Sequence, residues 1–129
     1  MVEPISRVLL PFRTVDISLP RDLSEGLHVV RGEDDWAGPP NDRAAVDWQT
    51  EMCIVFALGS RPSGGYSALI QWIMADSERV HVVAWEIRPG NCAATRNVTH
   101  PFQTVAVPVH PGPVELIKRI ADEDCEAAR

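Results

Sequence analysis

Proline and glycine divide this chain into short apolar runs, none long enough for a helix that packs a core. Eleven prolines fall in 129 residues, and most lie between the runs. β-like segments are predicted at 5–10 and 12–19, split by Pro11 and closed by Pro20. Others are predicted at 27–31, 52–58, 66–74, 79–87, 102–109 and 114–117. The run from Met52 to Leu58 is apolar on both faces, the pattern of a central strand covered on both sides. Residues 66–74 alternate, with Tyr66, Ala68, Ile70, Trp72 and Met74 on one face and Ser67 and Gln71 on the other. Gly38-Pro39-Pro40-Asn41 breaks regular structure, and Gly32 to Trp36 suits one helical turn. Residues 118–129 form a charged tail that reads as a short helix or a frayed end.

Strands and turns alternating at this spacing imply an all-β fold. The expected architecture is an antiparallel β-sandwich or partly open barrel, with at most one or two short helical turns. Without a helical crossover, successive strands should pair antiparallel. The length suits a single domain spanning residues 1–129.

Charge excludes some partners. The net charge is −6, Lys118 is the lysine of the chain, and no basic run exists. A surface that tracks nucleic-acid phosphates needs clustered Lys and Arg, so nucleic acid is not an expected partner. No apolar run approaches the ~20 residues of a membrane-spanning helix, so membrane insertion is not expected. The N-terminus lacks a signal-peptide pattern, which points to the cytoplasm. Cys53, Cys92 and Cys125 make an odd count without CxxC spacing. Cys53 reads as a small buried hydrophobe, and free thiols are favoured over the alternative of a Cys92–Cys125 bridge.

Catalytic patterns are absent or incomplete. Gly59 and Gly64 have phosphate-loop spacing, but Gly65 and Tyr66 stand where that loop needs Lys and a hydroxyl. His28, His81, His100 and His110 share no metal-ligand spacing. Ser63, His100 and Asp47 could be written as a triad, but no nucleophile elbow accompanies them. No catalytic, cofactor-binding or metal-binding residue is assigned, no cofactor is expected, and the chain reads as a non-enzyme. Trp36, Trp48, Trp72 and Trp85 lie beside apolar residues, and core packing is the expected role of most.

The turn Arg61-Pro62-Ser63-Gly64-Gly65-Tyr66 is the most distinctive segment. Pro62 presets φ, and the two glycines permit reversal of the chain. It could be a plain connection between strands, or a contact loop presenting Arg61, Ser63 and Tyr66 on a rigid sheet.

With its flanks, this turn resembles the C-terminal domain of the PrcB-type protease-complex-associated proteins. Their pattern is an apolar strand, then G-x-[RK]-P-[ST]-G-G-Y, then an alternating strand; here Ile54 to Leu58 precede Gly59 to Tyr66. Val46-Asp47-Trp48, Arg88-Pro89-Gly90 and Thr99-His100-Pro101-Phe102 resemble three further segments of the family. The clear part of the resemblance covers about 47–107. Ser63 stands where Thr is commoner.

The resemblance implies an accessory, protein-binding domain associated with a protease, and by analogy a secreted or periplasmic place if the N-terminus is truncated. The contact residues then expected are Arg61, Pro62, Ser63, Gly64, Gly65 and Tyr66, with His100 and Phe102. The turn is also similar to a loop of chagasin-like peptidase inhibitors, so an inhibitor is one alternative. A small-molecule-binding β-barrel is another. Partner identity and oligomeric state stay open.

Overall fold

The computed structural model describes residues 7–15, 23–35 and 46–126. Eight strands follow in chain order: β1 (Val8–Leu9), β2 (Arg13–Thr14), β3 (Gly26–Val30), β4 (Glu51–Ala57), β5 (Ser67–Ala75), β6 (Val80–Arg88), β7 (Phe102–Pro108) and β8 (Val114–Asp122). A 3-10 turn at Glu33–Asp35 is the helical element among the described residues. The strands form two sheets, ordered β1-β5-β6-β8 and β2-β7-β4-β3. The architecture is therefore a β-sandwich, the first of the two forms expected. The predicted break at Gly38 to Asn41, Trp36, and the outer parts of the first two predicted strands lie outside the described residues.

Alternation in the strands builds the core. Met52, Ile54, Phe56 and Leu58 face inward from the β4 segment, against Ile70, Ile73, Val80, Val82, Val105 and Val107. The opposite face of β4 is covered as well. Cys53 packs with Val15, Val46 and Ala106, and Val30 and Trp48 close over them. That second layer explains why residues 52–58 are apolar on both faces and buried throughout.

Pro11 lies where the chain changes sheets. Leu10 N–H donates to Ile73 O on β5, and Val15 N–H donates to Thr104 O on β7. Gln103 ties the same side: its Oε1 accepts from Ile70 N–H at 2.6 Å, and its Nε2 donates to Thr14 Oγ1 at 2.9 Å.

The structure corrects four expectations. First, a β-bulge between Ile70 and Trp72 shifts the register of β5 against β6. The inward set becomes Tyr66, Ala68, Ile70, Ile73 and Ala75, while Trp72 is turned out and is 48% exposed. One extra residue on one strand reverses the faces beyond it.

Second, β6 and β8 pair in parallel. β7 lies between them in sequence but in the other sheet, so the chain crosses the sandwich twice and returns running the same way. A strand of the opposite sheet does here what a helix does in a βαβ unit. Third, the predicted charged tail is strand up to Asp122. Fourth, Cys92 and Cys125 are joined in a disulfide, with Cα atoms 5.2 Å apart. Gly90 turns the chain after β6, and β8, lying alongside, brings Cys125 to the same end. Spacing in the sequence carries no sign of that juxtaposition.

Candidate functional site

The turn between β4 and β5 is held by its neighbours at every step. Leu58 N–H donates to Pro101 O, Arg61 and Thr99 exchange backbone hydrogen bonds of 2.8 and 2.9 Å, and Gly64 N–H donates to Thr95 O. Thr99 Oγ1 adds a bond to Ser63 O at 2.8 Å. Residues 59–66 and 95–101 thus form one stitched surface at an end of the sandwich. Gly65 has φ +85°, and a Cβ there would stand 2.8 Å from Pro89 Cβ. Both the backbone angle and the close approach require glycine.

Arg61 points inward. Its Nη2 donates to Glu86 Oε1 at 2.6 Å and to Glu25 Oε1 at 2.9 Å. The guanidinium lies 6.0 Å from the centre of the Tyr66 ring. Glu86 is 1% exposed and also takes Arg88 Nε at 3.0 Å and Lys118 Nζ at 3.1 Å. Lys118 in turn reaches Glu25 at 3.0 Å. Burial pushes the Glu86 carboxyl up, but the hydrogen bonds from Arg61, Arg88 and Lys118 outweigh it and hold the group at about 2. Glu25 is lowered by Lys118 first and Arg61 next.

At this end the apolar interior is therefore replaced by an ion cluster. β6 presents Val80, Val82 and Ala84 to the core and then Glu86. Beside the cluster lies an open cleft of about 370 Å³, bordered by Ser24, Glu25, Ser60, Arg61 and His100.

The structure distributes the sequence-predicted contact residues unevenly. Pro62, Gly65 and His100 are exposed, and Phe102 is 40% exposed. Ser63 and Gly64 are half-buried in the stitched surface, and Tyr66 packs against the core. Arg61 is committed to Glu86 and Glu25. Val98, 61% exposed, stands on the same segment as His100 and was not foreseen.

Sequence reasoning also missed Glu25, Glu86 and Lys118. A usable signal existed: Glu86 interrupts the inward alternation of β6, and the chain's lysine falls on a strand.

Other candidate chemistry does not assemble. Ser63 follows β4 and Asp47 precedes it, so the seven residues of that strand, roughly 20 Å, separate them. Ser63 Oγ donates to Gly64 O, and Asp47 Oδ1 accepts from Gln49 N–H. The histidines sit on different elements. His110 accepts from Gly112 N–H through Nδ1, so its Nε2 carries the proton and donates to Asp76 O. Cys92, Cys125 and Glu123 bring three ligand atoms within 4.8 Å, but the two sulfurs are bonded to each other. Among the tryptophans, Trp48 closes the second cluster. Trp72 and Trp85 lie on the outer face of β5 and β6, contrary to the expected core role, with Trp85 Nε1 donating to Gln71 Oε1 at 2.6 Å.

Fold and site together define a β-sandwich domain whose most constrained surface is a turn braced from behind by buried charge. Comparison narrows this further: residues 52–108 match the family model described as PrcB C-terminal, so that stretch of the chain is similar to a PrcB-type domain. The match spans β4 to β7 and includes the whole turn, in agreement with the resemblance read from the sequence. Comparison with the curated proteins and with the solved structures gave no match. Among the described residues no helix is long and apolar enough to cross a membrane.

Proposed function

We propose that this chain is a non-catalytic accessory domain that binds a protein partner, a protease by the association that names its family. The contact surface is the stitched end of the sandwich, with Pro62, Val98, His100 and Phe102 outermost. The observation that carries this reading is the orientation of Arg61. The charged residue of the motif is spent inside, on Glu86, so the motif fixes a surface and its exposed neighbours meet the partner. Apolar side chains exposed beside polar ones on a rigid loop suit protein recognition.

The experiment is capture of a secreted protease by tagged full-length chain in its native host, with the thermal midpoint of each variant measured in parallel. His100→Ala with Phe102→Ala is expected to lose the protease at an unchanged midpoint. Arg61→Ala is expected to lower the midpoint. Equal capture by wild type and the double variant would overturn the proposed surface. The peptidase-inhibitor reading makes a different prediction, loss of the captured protease's activity on a small peptide substrate, whereas an accessory domain leaves that activity intact.

A further inference from the structure

Among the described residues, the outer edge of β8 is left unpaired in its sheet. β8 is nine residues long and lies at the border of its sheet. Val80 N–H donates to Pro113 O, and Glu123 N–H donates to Arg88 O. In a parallel ladder alternate residues supply the bonds, so the odd-numbered residues of β8 turn their backbone groups toward β6. Val114, Leu116, Lys118 and Ile120 therefore turn theirs outward. Among the described residues no hydrogen bond reaches these outward groups.

Edge strands are usually kept short, bulged, or guarded by proline or an exposed lysine. β8 has no bulge in its register and no proline within it. Its lysine is folded back onto Glu86 and Glu25. Ile117 is 41% and Ile120 51% exposed.

We propose that a second copy of this chain pairs here, β8 against β8, antiparallel about a two-fold axis at Ile117. The outer face of β8 reads Glu115, Ile117, Arg119, which is complementary to its own reverse. In this register Glu115 of each copy faces Arg119 of the other, and the two Ile117 side chains meet. Val114 falls opposite Ile120 and Leu116 opposite Lys118, all in the outward-turned set, giving about eight backbone hydrogen bonds. The odd-numbered pairs are then the closely spaced, non-hydrogen-bonded ones, where cross-strand ion pairs act best. Moving the axis one residue to Lys118 sets lysine on lysine and loses both ion pairs. Arg119 is exposed and has no ion pair among the described residues, while Glu115 is paired with Arg79 at 2.8 Å and lies 3.5 Å from His81 Nδ1.

Sedimentation of the oxidised full-length chain tests this over protein concentrations up to about 200 μM, the range where a strand-edge dimer should populate. Wild type is expected to be dimeric at the upper end. Arg119→Glu should raise the dimer Kd at least about tenfold by setting Glu against Glu, and adding Glu115→Arg should restore it. Amide exchange at Leu116, Lys118 and Ile120 should slow with concentration in wild type and not in Arg119→Glu. A wild type monomeric throughout would overturn the proposal, as would a dimer indifferent to Arg119→Glu or outward amides whose exchange ignores concentration.

Discussion

Glu86 is the residue on which the site turns. A carboxylate 1% exposed would be expelled from an apolar interior unless several donors met it, and here three cations do. Replacing it with Gln leaves Arg61, Arg88 and Lys118 crowded without their shared anion. Glu86→Gln is expected to cost on the order of 3 kcal/mol in urea unfolding, the scale for breaking a buried pair. Arg61→Ala should cost less, about 1–2 kcal/mol, because Lys118 and Arg88 still hold Glu86. An Arg61→Ala variant as stable as wild type would return Arg61 to the surface role its motif suggested. Gly65 is constrained differently. At φ +85° and against Pro89, Gly65→Ala should cost about 1–3 kcal/mol and lower the urea midpoint without changing the slope. The free thiol of Cys53 is raised to about 11, first by burial and then by Glu51. It should resist a thiol reagent in the native state and react only on unfolding.

At the scale of elements, what the sequence revealed was whatever alternation encodes. The apolar run 52–58, the strands around β5, β6 and β7, and the turn between β4 and β5 were all readable, because each follows from neighbouring residues. The bulge in β5 was not, since an inserted Gln71 leaves both halves of the strand equally apolar and only pairing with β6 shows which face each half takes. The parallel β6–β8 pair was hidden for the same reason: the sheet to which β7 belongs is not written in β7. The ion cluster joins Glu25, Arg61, Glu86 and Lys118 from four separate parts of the chain, so no local pattern contains it. The disulfide depends on that parallel pair. It closes a loop of sequence separation 33 and pins the end of β8 to the turn after β6, where Glu123 N–H meets Arg88 O and Asn91 Nδ2 meets Asp124 Oδ1 at 2.9 Å. Cys92→Ser with Cys125→Ser should cost roughly 2–4 kcal/mol, as for loops of this length. In hydrogen exchange the increase should be largest at Ala121 and Glu123, beyond the rise that the global loss imposes on β4 and β7. Uniform acceleration would mean that the bridge supports the whole fold and not the end of one strand.

For the whole molecule, the ion cluster sets how stability depends on pH. The surface pairs Arg13–Glu51 and Arg79–Glu115 each contribute about 0–1 kcal/mol and are weakened by salt. Glu86 is different because it is buried and its folded value, about 2, lies below its ordinary 4.5. A lowered carboxyl stabilises the folded state fully above its unfolded value, and the contribution disappears as pH falls through the folded value. The window is therefore from about pH 4.5 down to about 2, and the amount lost is on the order of 3 kcal/mol. Glu25, Glu51 and Asp76 are lowered too, so their exposed contributions bend the curve in the same direction but by less. Wild type should hold a nearly constant urea midpoint from neutral pH to about 5 and then fall steeply. Glu86→Gln starts lower at neutral pH, yet its curve should flatten, and the two proteins should converge near pH 2. High salt should lift neither curve to the other, because a charge with 1% exposure is poorly screened. Parallel curves that never converge would place the acid sensitivity in the surface carboxylates and leave Glu86 a packing residue.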